Sequence, residues 1–129
     1  MEFIFDNERP IYVQLKEQIK VLIISGYFNL GSRLPSVREL ALTIKVNPNT
    51  IQKALSELED EKLIFTERTN GKYVTNDSNL IEAVKRDLAK EKVFKYLNDM
   101  SSIGITFEEA CIYLQELGGK KWVYYHVKG

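Results

Sequence analysis

The chain has 129 residues, 44% of them hydrophobic and 28% charged, and its 18 Lys and Arg balance 18 Asp and Glu. This composition excludes a wholly disordered or collagen-like chain, and the zero net charge argues against non-specific binding of polyanions by the molecule as a whole. No apolar run approaches the ~20 residues that cross a bilayer, residues 1–10 show no secretion signal, and one Cys with one His is too few for a zinc site.

The lone Cys111 fits a reducing compartment. The expectation is therefore a cytoplasmic protein with no membrane contact, no metal and no cofactor. One or two small modules fit the length. Each alone is marginal in stability, so self-association is a natural way to complete a core.

A first helix is predicted from about Pro10 to Ser25. Proline suits a first helical turn, and Tyr12, Leu15, Ile19, Leu22 and Ile23 fall on one face. Gly26 ends it, and a loop follows through Gly31 to Leu34. A short second helix opens at Pro35-Ser36-Val37, where Ser36 and Glu39 are spaced as a capping box. Asn47 and Pro48 form the N-cap and first turn of a third helix. Its buried stripe is Ile51, Ala54, Leu55 and Leu58, which leaves Asn49, Thr50, Gln52, Lys53 and Ser56 off the stripe. Residues 63–68 and 72–75 read as strands joined by Asn70-Gly71, a strong turn signal.

Three helices followed by a hairpin, with three residues between the second and third helices, are the order of a winged helix-turn-helix. The expected fold class is mainly α with a β-hairpin wing, residues 1–75 forming the DNA-binding domain. Residues 76–129 are expected to form a small two-helix dimerisation and effector module. A long helix over about 79–101 carries Leu80, Ile81, Val84, Leu88, Val93, Phe94, Leu97 and Met100 as one apolar face. Gly104 interrupts it, and Thr106 with Glu109 caps a last helix to Leu117. The tail, with Trp122, Val123, Tyr124, Tyr125 and Val127, reads equally as a strand, a helical turn or an arm on a partner.

From Arg33 to Lys53 there are four basic residues and one acidic residue, so a local basic surface exists in a neutral chain. In a helix-turn-helix the start of the second helix enters the major groove. Asn49, Thr50, Gln52 and Lys53 would read base edges there, since Asn and Gln suit adenine and Lys suits guanine. Arg33, Ser36, Arg38 and Asn47 would meet phosphate or a base beside them, and Arg68, Asn70, Gly71 and Lys72 would place the hairpin tip on the duplex. Ser36 and Asn47 also have a purely local use as helix caps. For the long helix, Leu80, Ile81, Val84, Leu88, Phe94 and Leu97 are the expected homodimer interface, because one further helix is too little cover for that stripe.

The segment Gly31-Ser32-Arg33-Leu34-Pro35-Ser36-Val37-Arg38-Glu39-Leu40-Ala41, with Val46-Asn47-Pro48-Asn49-Thr50-Ile51-Gln52-Lys53-Ala54-Leu55 and Leu58-Glu59, resembles the GntR family of bacterial transcription regulators. Asn47-Pro48-Asn49-Thr50 and Arg9-Pro10-Ile11-Tyr12 resemble its YtrA subfamily in particular. The resemblance implies a homodimeric regulator, usually a repressor, on an inverted-repeat operator in double-stranded DNA, with transporter genes as targets. It implies DNA contacts from Arg38, Asn47, Asn49, Thr50, Gln52 and Gly71. Two departures stand out. Thr69 replaces the first glycine of the family's Gly-x-Gly wing, and Pro48 stands where many members carry arginine. A small-molecule effector is left unidentified, since two helices can hardly enclose the ~300–1,000 Å³ of a typical pocket.

Two other function classes compete with this reading. A winged helix that binds protein instead of DNA would present an apolar or acidic face where this one is polar and basic. An enzyme would need a nucleophile beside a base, and Cys111 falls inside an apolar helical pattern while His126 lies in the tail.

Overall fold

A computed structural model describes residues 1–68 and 70–118. Thr69 and the aromatic tail from Trp122 to Val127 lie outside the described residues. The chain divides into two units, the first Met1–Lys85 and the second beginning at Arg86.

In the first unit, α1 (Ile11–Ile24) follows Pro10, which stands just before the helix as its N-cap. α2 (Val37–Ile44) opens on a complete capping box. Ser36 Oγ accepts from the Glu39 N–H at 3.1 Å and Glu39 Oε1 accepts from the Ser36 N–H at 3.3 Å. Lys45 then ends α2 in the left-handed region at φ 64°, and the chain turns into α3 (Pro48–Asp60). Asn47 caps α3 by accepting the Asn49 N–H at 2.8 Å.

The expected stripe of α3 is the centre of the core: Ile51, Ala54, Leu55 and Leu58 are all buried. They meet Leu15, Ile19 and Ile23 of α1 and Leu40 of α2. β1 (Ile64–Glu67) pairs antiparallel with β2 (Gly71–Val74), from Ile64 opposite Val74 to Glu67 opposite Gly71. Leu63, Ile64 and Val74 close the core below the hairpin. Part of the expected loop before α2 is also extended. The Leu34 N–H donates to Lys72 O at 2.8 Å and the Val74 N–H to Ser32 O at 2.9 Å, so Ser32–Leu34 lies along the free edge of β2.

The chain before α1 is held down by two glutamines of that helix. Gln14, buried, accepts from the Asp6 N–H and donates to the carbonyls of Asp6 and Arg9, while Gln18 both donates to and accepts from the Ile4 backbone. These bonds satisfy an extended segment that no helix or sheet pairs.

α4 (Ser78–Ser102) begins with Asp77, whose carboxylate accepts the Leu80 N–H at 3.0 Å. One apolar face was expected along it, and the structure corrects this. At about 100° per residue, Leu80, Ile81, Val84 and Leu88 share one sector, whereas Val93, Leu97 and Met100 fall on roughly the opposite side. Three of the first group belong to the N-terminal unit: Ile81 is 6% exposed in its core, with Leu80 and Val84 packed against that core. In the second unit Gly104, at φ +84°, turns the chain. Thr106 and Glu109 then form a capping box for α5 (Phe107–Gly118). The Tyr96 hydroxyl donates to the buried Ala110 carbonyl at 3.3 Å.

An ionic seam ties α1 to α3. Lys16 pairs with Glu57 at 3.3 Å and with Glu61, and Lys20 pairs with Glu61 at 2.9 Å. Burial pushes the Glu61 carboxyl up, but Lys16 and Lys20 outweigh it and hold the carboxyl below its ordinary value. The Lys16 ammonium is held above its ordinary value, chiefly by its hydrogen bond to Glu61. The folded state thus favours the ionised carboxylate, and the unfolded state binds the proton more readily. The carboxylate's contribution is full above its unfolded value and is lost as pH falls through its folded value. The ammonium's contribution is lost only as pH rises through the folded lysine value. Glu61→Gln is expected to lower stability near neutrality by about 1 kcal/mol, the scale of partly exposed pairs. It should also flatten the acid limb of a urea-denaturation series. An acid limb as steep as that of the unaltered chain would remove the seam from the stability account.

Candidate nucleic-acid interface

The cap at Asn47 and the stripe on α3 together decide which side of that helix faces solvent. With Ile51, Ala54, Leu55 and Leu58 turned into the core, Asn49, Gln52, Lys53 and Ser56 all point outward and are exposed; Thr50 is half-buried. Gln52 reaches Ser56 Oγ only at 3.4 Å, so its amide is nearly uncommitted. This face carries donors and acceptors at i, i+3, i+4 and i+7, the layout needed to follow base edges along a groove.

Ser36 and Asn47 each spend an acceptor on a cap. Beyond Ser36, α2 exposes Arg38, and no acidic partner is recorded for it among the described ion pairs.

The hairpin gathers a second set. Arg33, Ser36, Arg68, Gly71 and Lys72 line one groove of about 280 Å³ between the segment before α2 and the wing. Gly71 has φ +104°, and a Cβ there would stand 3.2 Å from Arg33 Nε. The absent side chain lets the guanidinium lie against the turn. Asn70 is exposed beside it.

Two expected contacts are placed differently from the rest. Lys72 Nζ lies 3.0 Å from Glu59 Oε1 and 3.0 Å from Thr66 Oγ1, and the Thr66 hydroxyl donates to Glu59 Oε2 at 2.8 Å. Burial raises the Glu59 carboxyl, yet Thr66 and Lys72 outweigh it and keep it below its ordinary value. With its side chain only 17% exposed, Lys72 braces the wing against α3, and its charge is matched inside the subunit. Lys53 is exposed, but its ammonium sits 3.8 Å from the centroid of the Tyr12 ring. Reading the sequence missed Tyr12 and Glu59 as parts of this surface. Tyr12 falls on the apolar face of the first helix, and Glu59 enters the sequence reading only through the Leu58-Glu59 match to the family.

The expected dimer residues separate into two groups. Ile81 is buried in the core of its own chain, and Leu80 and Val84, partly buried, pack against that core. Leu88 and Leu97 are half-buried, and Phe94 is 68% exposed. Phe94 and Leu97 line a shallow apolar groove of about 320 Å³ with Ala89 and Val93, edged by Arg86 and Lys90. In the same unit Ile112, Leu114 and Leu117 of α5 are exposed.

No helix among the described residues is long and apolar enough to cross a membrane. Among the same residues no group of His, Cys, Asp and Glu is arranged to hold a metal ion.

Comparison with known proteins agrees with this geometry. The sequence model for "Bacterial regulatory proteins, gntR family" matches residues 11–74, from the start of α1 to the end of β2. The chain is 39% identical over 122 residues to the HTH-type transcriptional repressor YtrA of Bacillus subtilis, covering 89% of this chain and 93% of that one. A GntR family transcriptional regulator from Listeria monocytogenes superposes with a TM-score of 0.81 at 40% identity, covering 87% of this chain and 98% of that one. AraR(DBD), solved in complex with operator ORX1, superposes with a TM-score of 0.54 at 28% identity, covering 58% of this chain and 96% of that one.

Proposed function

The chain belongs to the GntR family of bacterial regulatory proteins, and from that premise we propose that it is a homodimeric repressor that binds an inverted-repeat operator. It is a DNA-binding transcriptional regulator and not an enzyme. The observation that carries the finer reading is the outward face of α3, where Asn49, Gln52 and Lys53 are exposed opposite a fully buried stripe.

In this reading α3 lies in the major groove. Asn49 and Gln52 meet base edges, and Lys53 and Arg38 supply charge to phosphate or guanine. The N–H groups at the starts of α2 and α3 face the backbone. Arg33, Arg68, Asn70 and Gly71 set the wing on the adjoining strand, and Lys72 holds the wing rather than the duplex. Repression is supported by the resemblance to YtrA, itself a repressor.

The dimer reading rests on apolar side chains left open in the second unit, Phe94 and Leu97 of α4 and Leu114 and Leu117 of α5 among them. Exposed apolar surface commonly marks an interface. A two-fold dimer presents the same reading helix twice, so its site must be a pseudo-palindrome with half-sites about one helical turn apart.

The unaltered chain is expected to sediment at twice its 15.0 kDa mass, and Phe94→Glu to sediment at one chain mass while keeping its helical content. An unaltered chain that sediments as a monomer at working concentrations, or a Phe94→Glu variant that stays dimeric, would move the interface elsewhere or remove it. Selection of duplexes from a random pool is expected to return an inverted repeat, and binding should weaken steeply with added salt. A direct repeat or a single asymmetric site would overturn the symmetric reading.

A further inference from the structure

Tyr12, Lys16 and Lys20 are spaced four apart on α1, and Lys53 and Glu57 of α3 and Glu61, its C-cap, are spaced four apart as well. The two sets meet in order. Lys53 Nζ lies 3.8 Å from the Tyr12 ring centroid, Lys16 pairs with Glu57, and Lys20 pairs with Glu61.

In the second and third rungs the cation is on α1 and a carboxylate of α3 neutralises it. In the first rung the arrangement is reversed. The cation is on α3, on the same exposed face as Asn49 and Gln52, and its partner is an aromatic ring. A ring attracts an ammonium through its quadrupole but carries no net charge. It fixes where the ammonium sits and leaves the full unit charge available to a second partner. A carboxylate at the same place would fix it and cancel it, as Glu59 does for Lys72. Holding the lysine stem in one place also reduces the rotamer freedom that binding would otherwise remove.

We propose that Tyr12 is a positioning residue for DNA binding, holding the Lys53 ammonium at the edge of α3 so that its uncancelled charge meets an acceptor oxygen of the duplex, either on phosphate or on a guanine edge. The proposal rests on the DNA-reading role of α3 given above, and it adds to that surface a residue of α1.

The test uses the full chain and, as probe, the tightest duplex it selects from a random pool. Tyr12→Phe keeps the ring and should bind like the unaltered chain. Tyr12→Leu should bind about two- to fivefold more weakly, the scale of an exposed cation–ring contact. Tyr12→Glu should bind more weakly still, because it turns the first rung into an ion pair. In a Lys53→Met background the Tyr12→Leu loss should vanish, since the two residues act through one contact. Melting temperatures of all variants exclude those that have lost the fold.

A slope of log affinity against log salt that falls by about one in Lys53→Met assigns the oxygen to phosphate. An unchanged slope with altered preference at one position assigns it to a base. Equal Tyr12→Leu losses with and without Lys53 would overturn the proposal, as would full affinity in Tyr12→Glu. Enrichment of no duplex at all would remove the DNA-reading role of α3 and this proposal with it, so the two failures are distinct.

Discussion

Arg38→Ala is expected to weaken binding of the selected duplex by about 1–3 kcal/mol, or roughly 5- to 150-fold, with little change in thermal stability. Arg38 is the second residue of α2, exposed beside the capped N-terminus at Ser36. No described ion pair engages its guanidinium, in contrast to Lys16, Lys20 and Lys72. Removing an exposed and unpaired side chain costs the fold little, so the loss should appear in binding. Titration of both proteins against the selected duplex and a mismatched one separates two roles. Loss on the selected duplex alone means that a base is read, and equal loss on both means phosphate. Unchanged affinity on both, with a normal melting curve, would take Arg38 out of the interface.

Leu58→Ala is expected to destabilise the protein by about 2–5 kcal/mol, the usual range for a buried leucine truncated to alanine. Leu58 is 0% exposed and sits in the cluster that joins α1, α3 and the hairpin. A small domain has only about 5–15 kcal/mol in total, so a large share of the population should unfold at moderate temperature. Urea denaturation followed by circular dichroism measures this directly. Gln52→Ala, on the opposite side of the same helix, should shift stability by no more than about 0.5 kcal/mol. Comparable losses for the two variants would mean that α3 is not oriented as described.

Features set by bonds within a few residues were legible in the sequence. The Ser36–Glu39 box and the Asn47–Pro48 start are local patterns with local hydrogen bonds, and they place the starts of α2 and α3. The α3 stripe was legible for the same reason, because its period is intrinsic to the helix. Features that depend on distant partners were not. The pairing of Ser32–Leu34 along β2 needs an edge strand that arrives nearly forty positions later in the chain. The capture of Lys72 by Glu59 and the seating of Lys53 on Tyr12 join elements far apart in sequence. On α4 the residue types were read correctly, yet their division between two sides of the helix follows from angular accumulation over seven turns. The Gln14 and Gln18 clamp left no signal, because glutamine is common on solvated helix faces and only the extended segment opposite reveals its use.

The account depends on α3 reading bases through the side that carries Asn49, Gln52 and Lys53. Selection from random duplexes, run in parallel with the unaltered chain and Gln52→Ala, measures this most directly. Gln52→Ala should lose base preference at one position in each half-site and keep the others. An identical preference at every position, or an even decline in affinity across all sequences, would contradict base reading by this face.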